Sequence, residues 1–410
     1  MNLGKRHPHG WGAYIAVIST LAVALAASGT PSPTYSDLTA AWRLSPAALT
    51  IAYAAYALGV VITLLTTGGI SDRIGRVPVI IASMVVLALS LVCFVASNVA
   101  MLIVARLVQG LATGMLTGAA SAALIQTHPH GDVNAAAAAN SMTTSLSIAI
   151  GALLCGWILD AGGAIAIPYI VLLIATGVSI ALVLVFLPWD ARRSGAGLFA
   201  IQRLSIPSGM RAEFVLAALC VTNAWSVGGV YLALGGTLSR ELLGIGGHIV
   251  TGIVIMAVQG VGAIVQFAWI RLHVALSERA MIIIAAISSA VGISLTAFGA
   301  VEALAVLAVI GALLSGVGFG LAFMAGTRIV SAAAPEKRKG EVIAAYFVVA
   351  YAAISVPAVF TGLLIGLLGV SAAFVTFAVI VCVLCIAIGL MLTAMRNRIG
   401  SDDLADSAES

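Results

Sequence analysis

The sequence predicts an all-α membrane protein of twelve transmembrane helices in two pseudo-symmetric six-helix bundles, and three observations carry that prediction. Hydrophobic residues make up 62% of the 410-residue chain and charged residues 8%, with a mean hydropathy of +1.17; soluble domains hold roughly 45–50% apolar residues. The apolar residues form unbroken runs, and crossing a hydrocarbon core of about 30 Å takes about 20 helical residues. Cationic residues gather on alternate connections between those runs, as they do when one side of a bilayer retains them. Continuous runs rather than alternating ten-residue segments exclude a β-barrel.

The first run, 12–34, follows Lys5 and Arg6 and loosens at Ser28-Gly29-Thr30-Pro31-Ser32-Pro33, where prolines interrupt helical bonding. Its opening resembles a signal peptide, but cleavage would leave eleven spans and reverse the charge pattern, so the helix is read as retained. The second and third, 46–68 and 78–98, flank a polar turn, Gly69-Ile70-Ser71-Asp72-Arg73-Ile74-Gly75-Arg76. Glycines there allow a tight backbone, and Asp72 can face a helix end. The fourth, 101–126, carries Arg106 with Gln109 and Thr113 on one face, beside a smooth stripe of Gly110, Gly114 and Gly118. The fifth, 134–159, aligns Asn140, Thr144 and Ser147, and the sixth occupies 165–187. The seventh, 213–236, carries Asn223 and Trp225 and is expected to be broken by its glycines. The eighth, 248–270, holds Gln259. The ninth and tenth, 280–300 and 303–329, are separated by few polar residues; the eleventh, 341–366, holds Tyr346 and Tyr351, and the twelfth is 371–394.

With both termini in the cytoplasm, fifteen Lys and Arg residues fall on inner segments and two, Arg43 and Arg240, on outer ones. The longest polar connection, 188–212, then divides an N-terminal bundle (1–187) from a C-terminal bundle (213–394), with a cytoplasmic tail at 395–410. An internal repeat at an offset of 206 supports the division: Asp72-Arg73 meets Glu278-Arg279, Gly110 and Gly114 meet Gly316 and Gly320, Pro129 meets Pro335, and Gly156 meets Gly362. Parallel half-repeats place a solute site between the halves near mid-membrane.

Several function classes are excluded or weakened. The net charge of +4 reflects topology rather than a nucleic-acid surface. All five cysteines lie in apolar runs and read as packing residues. His-Pro-His-Gly at 7–10 and 128–131 reads as solvated loop, so no metal is assigned. There is no phosphate-binding Gly-x-x-x-x-Gly-Lys loop, no nucleophile–base pair within the spans and hence no enzyme and no cofactor beyond an ion gradient. No acidic residue lies at the middle of a span, which argues against a site for strongly cationic solutes.

The turn, with Gly69, Asp72, Arg73, Gly75 and Arg76, and the fourth span, with Arg106, Gln109, Gly110 and Gly114 in an R-x-x-Q-G-x-x-x-G pattern, resemble the major facilitator superfamily. The resemblance covers the whole chain and is similar to bacterial drug and metabolite efflux members. It implies that Asp72 and the arginines latch the cytoplasmic ends of the two halves, and that Arg106 takes part in proton transfer or coupling. The fifth span departs from drug–proton antiporters of the family, offering Ser147, Gly151, Ala152, Cys155 and Gly156 where they carry G-x-x-x-G-P-x-x-G-G. The expected activity is proton-coupled efflux of a small organic solute by a monomer in the cell (inner) membrane; the alternative is uptake or facilitated diffusion of a neutral or anionic metabolite. Candidate solute contacts are Asn140, Thr144, Asn223, Trp225, Gln259, Tyr346 and Tyr351.

Overall fold

The computed structural model describes residues 10–42, 46–67, 70–95, 98–188, 204–242, 244, 246–272, 277–335 and 338–409. Among the described residues, twelve helical stretches are long and apolar enough to cross a membrane: Trp11–Thr34, Leu49–Thr66, Arg76–Val95, Val99–Thr127, Ala135–Asp160, Ala166–Phe186, Ser208–Arg240, His248–Arg271, Glu278–Val301, Ala305–Ala333, Lys339–Leu368 and Val370–Met395. They are spans 1 to 12. The last helix continues past span 12 to Glu409.

Small residues decide which spans touch. Span 2 lies against span 4 so closely that a Cβ at Gly110 would strike the Tyr56 carbonyl, and one at Gly114 would strike Val60 and Thr63. Spans 8 and 10 repeat the arrangement, with Gly316 against the Ala257 carbonyl and Gly320 against Gly262. Side-chain bonds join spans 3 and 4 and spans 9 and 10. Ser90 Oγ donates to the Ala105 carbonyl at 2.8 Å, and Thr296 Oγ1, at the matching position of the repeat, reaches the Ala308 carbonyl at 3.4 Å, about one turn out of the repeat's register. Between bilayer-buried helices, where no hydrophobic gain separates protein from lipid, such backbone approach is a main source of cohesion. The first six spans meet the last six through span 5 against span 8 and span 2 against span 11. Gly156 abuts the His248 backbone, Gly252 abuts Leu153, and Gly362 abuts Thr50.

The turn after span 2 folds as one helical turn, Ile70–Ile74, and reverses at Gly75 before span 3 begins at Arg76. Gly75 has φ of 94°, a left-handed conformation that L residues with a Cβ resist. Gly75→Ala is expected to lower stability by about 1–2 kcal/mol, read as a lower midpoint in thermal unfolding of detergent-purified protein. Gly69 lies outside the described residues, as do the side chains of Asp72 and Arg73.

Span 7 differs from expectation. Its main helix runs unbroken from Arg211 to Thr237, followed by a π turn at Leu238–Leu242. Its glycines serve close approach instead: Gly229 sits against the Ile354 carbonyl and Gly228 against the Phe319 ring. The interior irregularity falls in span 8, where a π turn, Met256–Gly260, separates two α-helical pieces.

Candidate functional site

Arg106 lies about two turns inside span 4 and is fully buried. Its position follows from how span 1 ends. Pro31 has no N–H to give the carbonyl four residues back, at Ala27, and Gln109 Nε2 donates to that carbonyl at 2.8 Å. Arg106 Nη1 donates to the Ser28 carbonyl at 3.0 Å and to Gln109 Oε1 at 2.8 Å. Arg106 Nε donates to Tyr35 Oη at 2.8 Å, and Nη2 donates to the same oxygen. Tyr35 belongs to the short helix Tyr35–Trp42, reached through a 3-10 turn at Ser32–Thr34. Four rings surround the guanidinium: Tyr35, Tyr53, Tyr56 and Phe94, with centroids at 5.5, 5.6, 5.8 and 5.9 Å. Among the described residues, no carboxylate pairs with it. Aromatic faces and neutral acceptors therefore stabilise a buried cation whose isolated transfer would cost several kcal/mol.

Tyr53 and Tyr56 belong to span 2, which packs against span 11 of the other half, the span that carries Tyr351. Tyr351 packs edge-on against Trp225 of span 7 at 5.0 Å, and Trp225 against Phe323 of span 10 at 5.6 Å. Gln259 lies in the π turn of span 8, its Nε2 facing Gly228 one turn along span 7 from Trp225. Three polar atoms of these spans are buried without a hydrogen-bond partner among the described residues: Tyr53 Oη, Trp225 Nε1 and Gln259 Oε1. An unmet buried donor or acceptor costs roughly 1–3 kcal/mol, so these atoms mark where the protein can gain from a polar group not its own. They supply two donors, one of which can also accept, and one acceptor, in a setting of aromatic rings.

The remaining candidates lie elsewhere. Asn223, two positions from Trp225 and so turned well away from it on the helix, donates to Ser289 Oγ at 3.0 Å and accepts from Cys385 Sγ at 3.8 Å. It ties spans 7, 9 and 12 together. Tyr346 is fully buried against Thr327, 3.2 Å between hydroxyls. Asn140 Oδ1 accepts from Ser121 Oγ at 3.2 Å, and the Thr144 hydroxyl returns to the Asn140 carbonyl. A neighbouring bond joins the halves here, Ser141 Oγ donating to Gln266 Oε1 at 2.6 Å.

A second polar constellation joins the halves where spans 1, 5, 7 and 8 have their ends. His248, the first residue of span 8, places Nε2 2.7 Å from Asp37 Oδ2 and Nδ1 2.7 Å from Asp160 Oδ1. The backbone N–H groups of His248 and Ile249 donate to the two Asp160 oxygens at 2.9 and 2.8 Å, and Arg240 stands 3.7 Å from Asp37. The sequence places these four residues at the same ends of their spans, but nothing in their spacing reveals that they converge. Tyr35 escapes sequence reasoning likewise; its one signal is an aromatic residue just past a proline-broken helix end.

A family model described as Major Facilitator Superfamily matches residues 17–356. No curated protein sequence matches the chain. Among solved structures, the chain is similar to a point mutant of the nucleoside transporter NupG at 11% identity and TM-score 0.73, covering 93% of this chain and 100% of that one. It is similar to a POT family transporter in complex with 5-aminolevulinic acid at 12% identity and TM-score 0.76, with 94% and 96% covered. It is also similar to the human organic anion transporter MFSD10 (TETRAN) at 16% identity and TM-score 0.67, with 93% and 100% covered. At these identities the likeness is one of fold.

Proposed function

The chain belongs to the major facilitator superfamily, and from that premise we propose that it exports a small organic solute by alternating access, driven by the proton gradient. In this reading two bundles, 1–187 and 213–394, rock about a solute site between them, joined by a cytoplasmic linker at 188–212. The protein sits as a monomer in the cell membrane, both termini in the cytoplasm, and holds no cofactor. The observation that carries the solute site is the set of unmet polar atoms on Tyr53, Trp225 and Gln259, contributed by both halves and framed by aromatic rings. Such a site suits a planar or amphipathic molecule with hydrogen-bonding groups and no fixed positive charge.

A second reading, uptake or facilitated diffusion of a neutral or anionic metabolite, is favoured by Arg106, a buried cation without a carboxylate among the described residues. Reconstituted vesicles holding a pH-sensitive dye separate the two when neutral, anionic and cationic compounds are added under a proton gradient. Proton movement dependent on particular compounds supports coupled export, whereas solute flux without proton movement supports the second reading. Trp225→Ala is expected to raise the half-saturating solute concentration about tenfold, the loss of one hydrogen bond and one ring contact. An unchanged value would remove Trp225 from the site.

A further inference from the structure

We propose that His248 is a proton-binding site that latches the two halves together on the face where spans 1, 5, 7 and 8 have their ends, closing when the imidazole is charged and releasing when it is neutral. The inference rests on the reading of the chain as an alternating-access carrier. Its basis is geometric. Both ring nitrogens of His248 stand 2.7 Å from a carboxylate oxygen, Nε2 from Asp37 and Nδ1 from Asp160. An imidazolium has an N–H on each nitrogen and can donate to both carboxylates; a neutral imidazole has only one. When the proton leaves Nε2 for solvent, a lone pair faces Asp37 Oδ2 and attraction becomes repulsion.

The two bonds differ in what survives that loss. The backbone N–H groups of His248 and Ile249, at the start of span 8, also hold Asp160, and these donors do not titrate. A helix N-terminus favours a carboxylate whatever the ring charge. Among the described residues Asp37 has no such support, and Arg240 is its remaining cation at 3.7 Å. The proton-sensitive strand of the latch is therefore His248–Asp37. The charged and titratable groups facing it are Asp160 of span 5, Asp37 beyond span 1 and Arg240 at the end of span 7, with buried Cys155 of span 5 in electrostatic range of Asp37. The imidazole is one-fifth exposed and the carboxylates about a third, so a proton reaches Nε2 from solvent without crossing the protein. No buried mid-span carboxylate is required for the carrier to sense a proton.

The test is a distance measurement on the full chain in lipid nanodiscs without added solute. Spin labels at Ala161→Cys and Glu302→Cys report the separation of the halves on this face. A single short distance is expected at about pH 5, with a longer population growing about tenfold relative to it by about pH 9, the shift produced by losing one charge-assisted bond. In His248→Gln, which cannot titrate, the ratio of populations is expected not to change with pH. Asp37→Asn, whose amide can pair with a neutral ring, is expected to reduce the pH response while keeping the short distance. A wild-type distribution that does not change with pH, or an unchanged response in His248→Gln, overturns the proposal. Solute flux in vesicles is measured in parallel: a pH-dependent distance without flux retains the latch and sinks the carrier reading, and flux without the distance change does the reverse.

Discussion

Arg106→Ala is expected to lower the initial rate of solute transport about 100-fold or more while the protein still inserts and purifies as a folded species. The substitution removes hydrogen bonds from a charged donor to Tyr35, Ser28 and Gln109, each worth roughly 1.5–3 kcal/mol. It also removes the several kcal/mol that a buried cation costs, and the two large terms offset each other in stability. They do not offset in function, because the fixed positive charge is what can attract an anionic group. Arg106→Lys is expected to recover little: a lysine presents a compact point charge and cannot reach Tyr35, Ser28 and Gln109 with one planar fork. Flux assays on both variants, beside circular dichroism and thermal unfolding, give the comparison. Near-normal flux in Arg106→Ala would reduce the arginine to a packing residue.

Gly110→Val is expected to produce the largest loss of stability of any single glycine substitution on span 4, with little folded protein recovered. A Cβ at Gly110 runs into the Tyr56 carbonyl and within 3.1 Å of Gly59 Cα, so backbone must move against backbone and no side chain can turn aside. Overpacking of this kind costs typically about 1–3 kcal/mol and more when no relaxation is open. Gly118→Val, on the same helix, meets nothing within 4 Å and is expected to leave yield and melting unchanged. Size-exclusion profiles of the two variants at equal expression decide the matter; similar behaviour would mean that spans 2 and 4 are not held by close backbone contact.

These two expectations also show how far the sequence could be read. The stripe Gly110, Gly114 and Gly118 is visible as spacing, yet only the first two meet a neighbouring helix, because a helical period marks a face and not its partner. The number and order of the spans are legible from hydropathy and charge, since lipid imposes length and polarity on each helix independently. The neighbourhood of Arg106 is half legible: Gln109 lies one turn away along the same helix, whereas Tyr35 is distant in sequence. Trp225, Gln259 and Tyr351 come together around the unmet polar atoms, while Asn223 ties spans 7, 9 and 12 together. Helical angle alone separates Asn223 from Trp225, but which of the two faces the other half depends on tertiary packing. The π turn at Met256–Gly260 has no sequence signature in this chain, though such turns commonly occur at functional sites.

The ending of span 1 has a consequence for the history of the chain. Pro31 leaves the Ala27 carbonyl without its usual helical donor, and the amide of Gln109 fills that vacancy. A mutation restoring an N–H at position 31 would set that N–H against the Gln109 amide nitrogen for one carbonyl, while Gln109 Oε1 would still accept from Arg106. A mutation removing the glutamine would leave the carbonyl stranded in a dry interior. Neither residue is neutral alone, so related chains are expected to inherit the two as a pair or to replace them together. Positions 31 and 109 should therefore covary more strongly than either does with its sequence neighbours.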